Sequence, residues 1–261
     1  MGIELDDSGQ SPEQKTLLIS AAEARVDRVN VMAYGPPGCG KTYFATTFPK
    51  PFFIDTENGL ITARARIKKG EIDDFPGIQT SDFTTVLEII SSPEYRIPAL
   101  FKGTKWEGYV PETLVIDTIS TLEGYIFDDI MENHASAAGK VAQPQWNNLK
   151  RKMMALARKS WDCDLNTVML AHDQAGRTAS AEMPSSKEPG PLLTGTLVKQ
   201  FPAQIDILLF LEQRMQPGGI REYVAHSVNT DGMPARAQGV ELDTLIESPS
   251  YATIREALDK L

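Results

Sequence analysis

Apolar residues fall along this chain in short solid blocks, separated by longer stretches where they recur every three or four positions. The blocks are 29–34, 52–55, 113–117, 166–172 and 205–211. Each is too short for a helix and rich in Val, Ile, Leu or Phe, which predicts buried strands. The stretches between them predict helices near 42–48, 60–69, 82–91, 120–133 and 250–260, with a short one at 16–25. In 82–91, Phe83, Val86, Leu87 and Ile90 share one face, and Ser81 or Asp82 can cap the start. From Gln145 to Trp161, Trp146, Leu149, Met153, Leu156 and Ala157 mark a longer helix. A strand at 221–228 follows 205–211 across Pro217-Gly218-Gly219, the signature of a hairpin. Residues 92–112, with three prolines and two glycines, read as an irregular insertion or an edge hairpin.

Strands alternating with helices predict an α/β fold, with a mostly parallel central sheet flanked by helices. The late hairpin adds an antiparallel pair at the C-terminal side. Residues 1–15 are polar and acidic and predict a flexible tail, leaving 16–261 as one domain. Residues 173–194, rich in Gly, Ser, Thr and Pro, predict a long mobile loop, and loops of that length are usually functional or disordered.

The first block runs directly into Gly35-Pro36-Pro37-Gly38-Cys39-Gly40-Lys41-Thr42, followed by Tyr43 and a helix. This is the G-x-x-x-x-G-K-[ST] pattern, and each residue type in it has a separate task. Glycines let backbone N–H groups curl around phosphate oxygens. Lys41 is spaced to reach the β- and γ-phosphates, and the Thr42 hydroxyl to ligate Mg²⁺. The expected cofactors are therefore ATP and Mg²⁺, with residues 35–43 as the cradle.

Composition narrows the setting. The net charge is −9, from 26 basic and 35 acidic residues, which argues against a broad electrostatic grip on nucleic acid. A local basic groove remains open, because charge clusters at Arg64, Arg66, Lys68 and Lys69, and again at Lys150, Arg151, Lys152, Arg158 and Lys159. Solvated helix faces account for the same clusters. No apolar run approaches the ~18 residues of a membrane span. Cys39 sits inside the phosphate loop and Cys163 far from it, so no oxidising compartment is implied. The expectation is a cytoplasmic protein with no membrane partner.

In an open α/β sheet the ligand crevice lies at the carboxyl ends of the strands. Asp117, after Leu-Val-Ile, fits the strand-end acid that holds Mg²⁺. The next residue is Thr118, whereas an Asp-Glu ending would have supplied a water-activating base in place, as in AAA+ proteins. The base must come from elsewhere, and Glu57, just past the strand 52–55, is the best placed, with Asp55 second. His172 ends another strand.

These residues resemble RecA-type recombinases. Residues 53–60, Phe-Ile-Asp-Thr-Glu-Asn-Gly-Leu, are similar to the family's segment bearing the catalytic glutamate, and Leu114 to Thr118 to its second nucleotide motif. Val168 to His172 resembles its strand ending in a γ-phosphate sensor, where His is usual in the smaller phage-encoded members. The Gly-Pro-Pro-Gly loop, the Trp-initiated helix and Gly195 to Asp206 also look like the phage single-strand-annealing group, over about residues 28–240. The resemblance implies a RecA-like P-loop ATPase, with Lys41, Glu57 and His172 as catalytic residues. It implies single-stranded DNA as partner, homo-oligomers, and single-strand-binding or recombination proteins as associates, in the host cytoplasm if the chain is phage-encoded. The loop after His172 would contact DNA through Arg177 and Lys187, or else serve as a lid over the nucleotide. Lys199 or Arg236 would reach a neighbour's γ-phosphate, or else be an ordinary surface charge. Two further readings compete: an ATP-switched binding or assembly module with little hydrolysis, and a hexameric helicase-type motor. A small-molecule kinase is disfavoured by the lack of an arginine-rich lid segment.

Overall fold

A computed structural model describes residues 28–133, 143–174 and 189–260. The solid apolar blocks become strands: β1 (Asn30–Gly35), β2 (Pro51–Asp55), β4 (Thr113–Asp117), β5 (Asn166–His172) and β6 (Ile207–Met215). β1, β2 and β4 are buried along their whole length, which is why they read as continuous hydrophobic runs rather than alternating ones. Three short strands complete the sheet: β3 (Gly77–Gln79), β8 (Arg236–Ala237) and β9 (Leu245–Glu247), with β7 (Arg221–His226) pairing along β6.

The sheet runs β3-β2-β4-β5-β1-β6-β7-β9, with β8 also on β6. β3 to β6 in that order are parallel, and the last pairs are antiparallel. β5 therefore lies between the strand that feeds the phosphate loop and the strand that ends in Asp117. Register fixes the consequence. Asp55 pairs with Asp117, Asp117 with Leu170, and Gly35 with His172, so four strand ends form one edge.

Helices cover both faces. On one, α3 (Phe83–Ser91), α4 (Pro93–Phe101), α5 (Ile119–Asn133), α6 (Gln143–Asp162) and the short α7 (Leu197–Gln200) pack around Met32, Ile54, Ile116 and Met169. On the other, α1 (Lys41–Thr46) and α8 (Tyr251–Leu258) pack around Val31, Phe53, Val115 and Leu170. Alternate residues of each strand serve opposite cores, as strand geometry requires. The basic stretch forms α2 (Ile61–Lys68), which buries only Ala63.

Asp82 caps α3, accepting from the Thr84 and Thr85 N–H groups. Residues 92–112 differ from expectation, because their first half is α4. Pro93 stands at the helix start, where its missing N–H costs nothing, and Ile97 and Phe101 are one turn apart on the buried side. Among the described residues, no helix is long and apolar enough to cross a membrane. The expected tail 1–15 and helix 16–25 lie outside the described residues, as does most of the loop 173–194.

Candidate functional site

The phosphate loop emerges between β1 and α1. Gly38 and Gly40 have φ of 78° and 91°, a region that L side chains avoid. Gly35 is needed for another reason: a Cβ there would stand 2.1 Å from the Leu211 carbonyl oxygen on β6. A Cβ on Gly40 would meet the Tyr223 ring of β7 at 2.9 Å. The C-terminal hairpin therefore braces the loop from one side. Pro37 and Gly38 form the exposed tip, and Cys39 is buried, which pushes its thiol up and disfavours the thiolate.

Lys41 is 8% exposed, and its Nζ donates to the carbonyls of Gly35 at 2.9 Å and Pro36 at 3.0 Å. The Thr42 hydroxyl donates to Asp117 Oδ2 at 2.8 Å. Asp117 is 2% exposed, and burial pushes its carboxyl up to about 6, with the Glu57 and Asp55 charges adding and the Thr42 hydrogen bond and Lys41 opposing. A divalent cation suits this pair. It would supply the missing countercharge to Asp117 and take an oxygen from each partner. A Cβ on Gly59 would come to 3.0 Å from the same Oδ2, so glycine keeps that approach open.

Asp55 is committed to its own turn. Its Oδ1 accepts from the N–H groups of Glu57 at 3.1 Å and Gly59 at 3.0 Å, and its Oδ2 from Leu60 at 3.3 Å. That turn presents Glu57, whose side chain is 27% exposed, toward the cavity. Glu57 Oε2 lies 2.9 Å from His172 Nε2 and accepts from the Thr121 hydroxyl at 2.8 Å. Burial would raise the Glu57 carboxyl, but those hydrogen bonds and the charges of His172 and Lys41 together hold it below its ordinary value. Thr56 ties the turn to the end of β4, accepting from Thr118 N–H and donating to Thr118 O, both at 2.9 Å.

Lys41, Thr42, Glu57, Asp117 and His172 thus line one cavity of about 270 Å³, although they come from α1, the ends of β4 and β5, and the turn after β2. Tyr223, Arg66 and Thr62 line it too. The sequence offered no local signal for Tyr223, which reaches the loop only because β6 and β7 pair. Arg66 was visible only as part of a basic helix face.

The two candidate trans-acting cations lie elsewhere, lining a second cavity with Pro202 and Pro234. Lys199 is exposed on α7. Arg236 does not project outward. One of its terminal nitrogens donates to the carbonyls of Pro202, Ala203 and Ile205 at 2.6–3.0 Å, closing the turn that follows α7. That geometry engages one of the guanidinium nitrogens of Arg236 with backbone of its own chain. Arg177 and Lys187 lie outside the described residues.

A phosphate loop on the central strand, an acid on a strand two places away and a sheet of this order define a P-loop nucleoside-triphosphatase core. A profile of the AAA domain family matches residues 27–238, more than half of the chain. The chain belongs to that family and is a nucleotide-binding protein of the AAA ATPase type. None of the curated proteins compared with it matches.

Proposed function

We propose that the protein is a Mg²⁺-dependent, RecA-like ATPase acting on single-stranded DNA in phage-type recombination or annealing. The observation that carries the hydrolytic part is the Glu57–His172 contact of 2.9 Å beside Lys41, Thr42 and Asp117. It puts a carboxylate on the strand end next to the metal-side acid, where an acid directly after Asp117 is lacking. Glu57, kept ionised, orients a water and accepts its proton as the water oxygen bonds to the γ-phosphorus, the bond from that phosphorus to the bridging oxygen breaks and ADP leaves. Lys41 offsets charge on the phosphates. Mg²⁺, held by Thr42 and Asp117, would supply further positive charge there. His172 Nε2 is the same atom that would meet a γ-phosphate, so phosphate and Glu57 compete for it, and arrival of one frees the other.

The DNA part rests on a groove of about 320 Å³ between the start of α6 and α7. Gln143, Asn147, Lys150 and Thr196 line it with Trp146. Amide, hydroxyl and ammonium groups of that kind suit backbone contact without base readout. A neighbouring copy, if the protein assembles, would bring Lys199, or Arg236 through the guanidinium nitrogens that face away from the backbone turn.

The engagement of Arg236 favours a second reading, an ATP-switched module with little hydrolysis. Single-turnover hydrolysis with and without single-stranded DNA separates the two. DNA stimulation that disappears in Lys41→Ala supports the ATPase. An unchanged rate with ATP-dependent DNA affinity supports the module.

A further inference from the structure

We propose that Arg66 is the chain's own second cation for the triphosphate, held at the site by the ring of Tyr43. The inference rests on the nucleotide reading of the cavity and deepens it. Among the described residues lining that cavity, the permanent cations are Lys41 and Arg66, against the acids Glu57 and Asp117. A triphosphate with one divalent cation still carries net negative charge. Lys41 alone, facing two carboxylates, leaves the filled cavity short of positive charge.

Arg66 is placed to supply it. Its guanidinium carbon lies 3.7 Å from the Tyr43 ring centroid, well inside the range of a cation–π contact. Tyr43 directly follows Thr42, so the stack ties α2 to the phosphate loop itself. Stacking occupies a face of the guanidinium and leaves its in-plane N–H groups to meet oxygens. The competing ion pair is weak, since Arg66 Nη1 stands 3.6 Å from Glu71 Oε2 at a site open to solvent. Arg64 and Lys68 on the same helix are exposed, and neither lines the cavity. The cation is in the same chain, so it needs no neighbour. That matters because Arg236 is held by backbone carbonyls.

The test is calorimetric binding, on the full chain with Mg²⁺, of a non-hydrolysable ATP analogue and, separately, of inorganic tripolyphosphate. Arg66→Met should weaken both by about tenfold or more, the scale of one charge-assisted hydrogen bond, and lessen their dependence on salt. Arg66→Lys should recover part of the loss, and Tyr43→Leu should weaken both ligands with Arg66 intact. Unfolding temperatures of the variants identify any loss that comes from the fold, and Arg66→Lys then carries the comparison. Arg66→Met binding both ligands within twofold of wild type would overturn the proposal. So would a loss confined to the nucleotide, which would put Arg66 on the base instead. Wild type binding neither ligand would overturn the nucleotide reading itself.

Discussion

Asp117 should make the metal-free protein less stable than its amide variant. The carboxyl is 2% exposed and titrates at about 6, against 3.8 when free. Its native form therefore holds a proton that the unfolded form has already released. Between pH 4 and 6 the folded state binds more protons than the unfolded state, and stability falls as pH rises. A difference of about two pKa units at ~1.4 kcal/mol each amounts to ~3 kcal/mol, fully lost above pH 6. Asp117→Asn removes the charge and keeps an acceptor for the Thr42 hydroxyl, which donates at 2.8 Å. In chelator at pH 7.5 the variant should unfold about 6 to 12 °C higher than wild type, given ~2–4 °C per kcal/mol for a chain of this size. At pH 4 the two should converge. Mg²⁺ with nucleotide should raise the wild type and leave the variant almost unmoved, and hydrolysis should be lost. Calorimetric melts across pH 4–8, with and without Mg²⁺, are the assay. A variant less stable than wild type at pH 7.5 in chelator would refute the reasoning, because burial would then not be what sets the Asp117 charge state.

Three other outcomes are expected. Glu57→Gln should lower single-turnover hydrolysis by ~10²–10⁴-fold while nucleotide affinity stays within a few-fold, and phosphate-release kinetics will show it. Gly40→Ala should abolish nucleotide binding and cost more than ~1 kcal/mol in a denaturant melt, since the new Cβ meets both a φ of 91° and the Tyr223 ring. Glu123 on α5 is 2% exposed and accepts from the Thr194 N–H at 3.0 and 3.1 Å. Glu123→Ala should cost ~2–4 kcal/mol by chemical denaturation, because it leaves a buried donor and a void.

The sequence made the parallel core legible because β1, β2, β4 and β5 are buried on both faces and so carry unbroken apolar runs. β3, β8 and β9 were hidden by being two or three residues long, too short for any period to develop. α4 was hidden by Pro93 and Pro98, which look like breakers although one sits at the helix start. In the site, the positions spelled out by local spacing could be read directly: the phosphate loop, Asp117 and the segment around Glu57. What could not be read is what chain pairing brings together. Tyr223 stands far along the chain from Gly40, and nothing near Arg66 marks Tyr43 as its partner. Arg236 could be seen as a cation, but not as one turned inward onto the carbonyls of Pro202 to Ile205.

The position of β1 has a consequence for how the protein is made. β1 is among the first strands synthesised, yet its two neighbours are β5 and β6, from Asn166 onward, and the Tyr223 brace comes later still. During translation the loop sequence leaves the ribosome long before anything can hold it in shape. Pairings so distant in sequence are slow to form and leave apolar strands uncovered meanwhile. Nascent chains released short of about residue 226 should therefore fail to retain nucleotide, even with the whole phosphate-loop motif present. Nucleotide capture would then mark the last stage of folding, not the first.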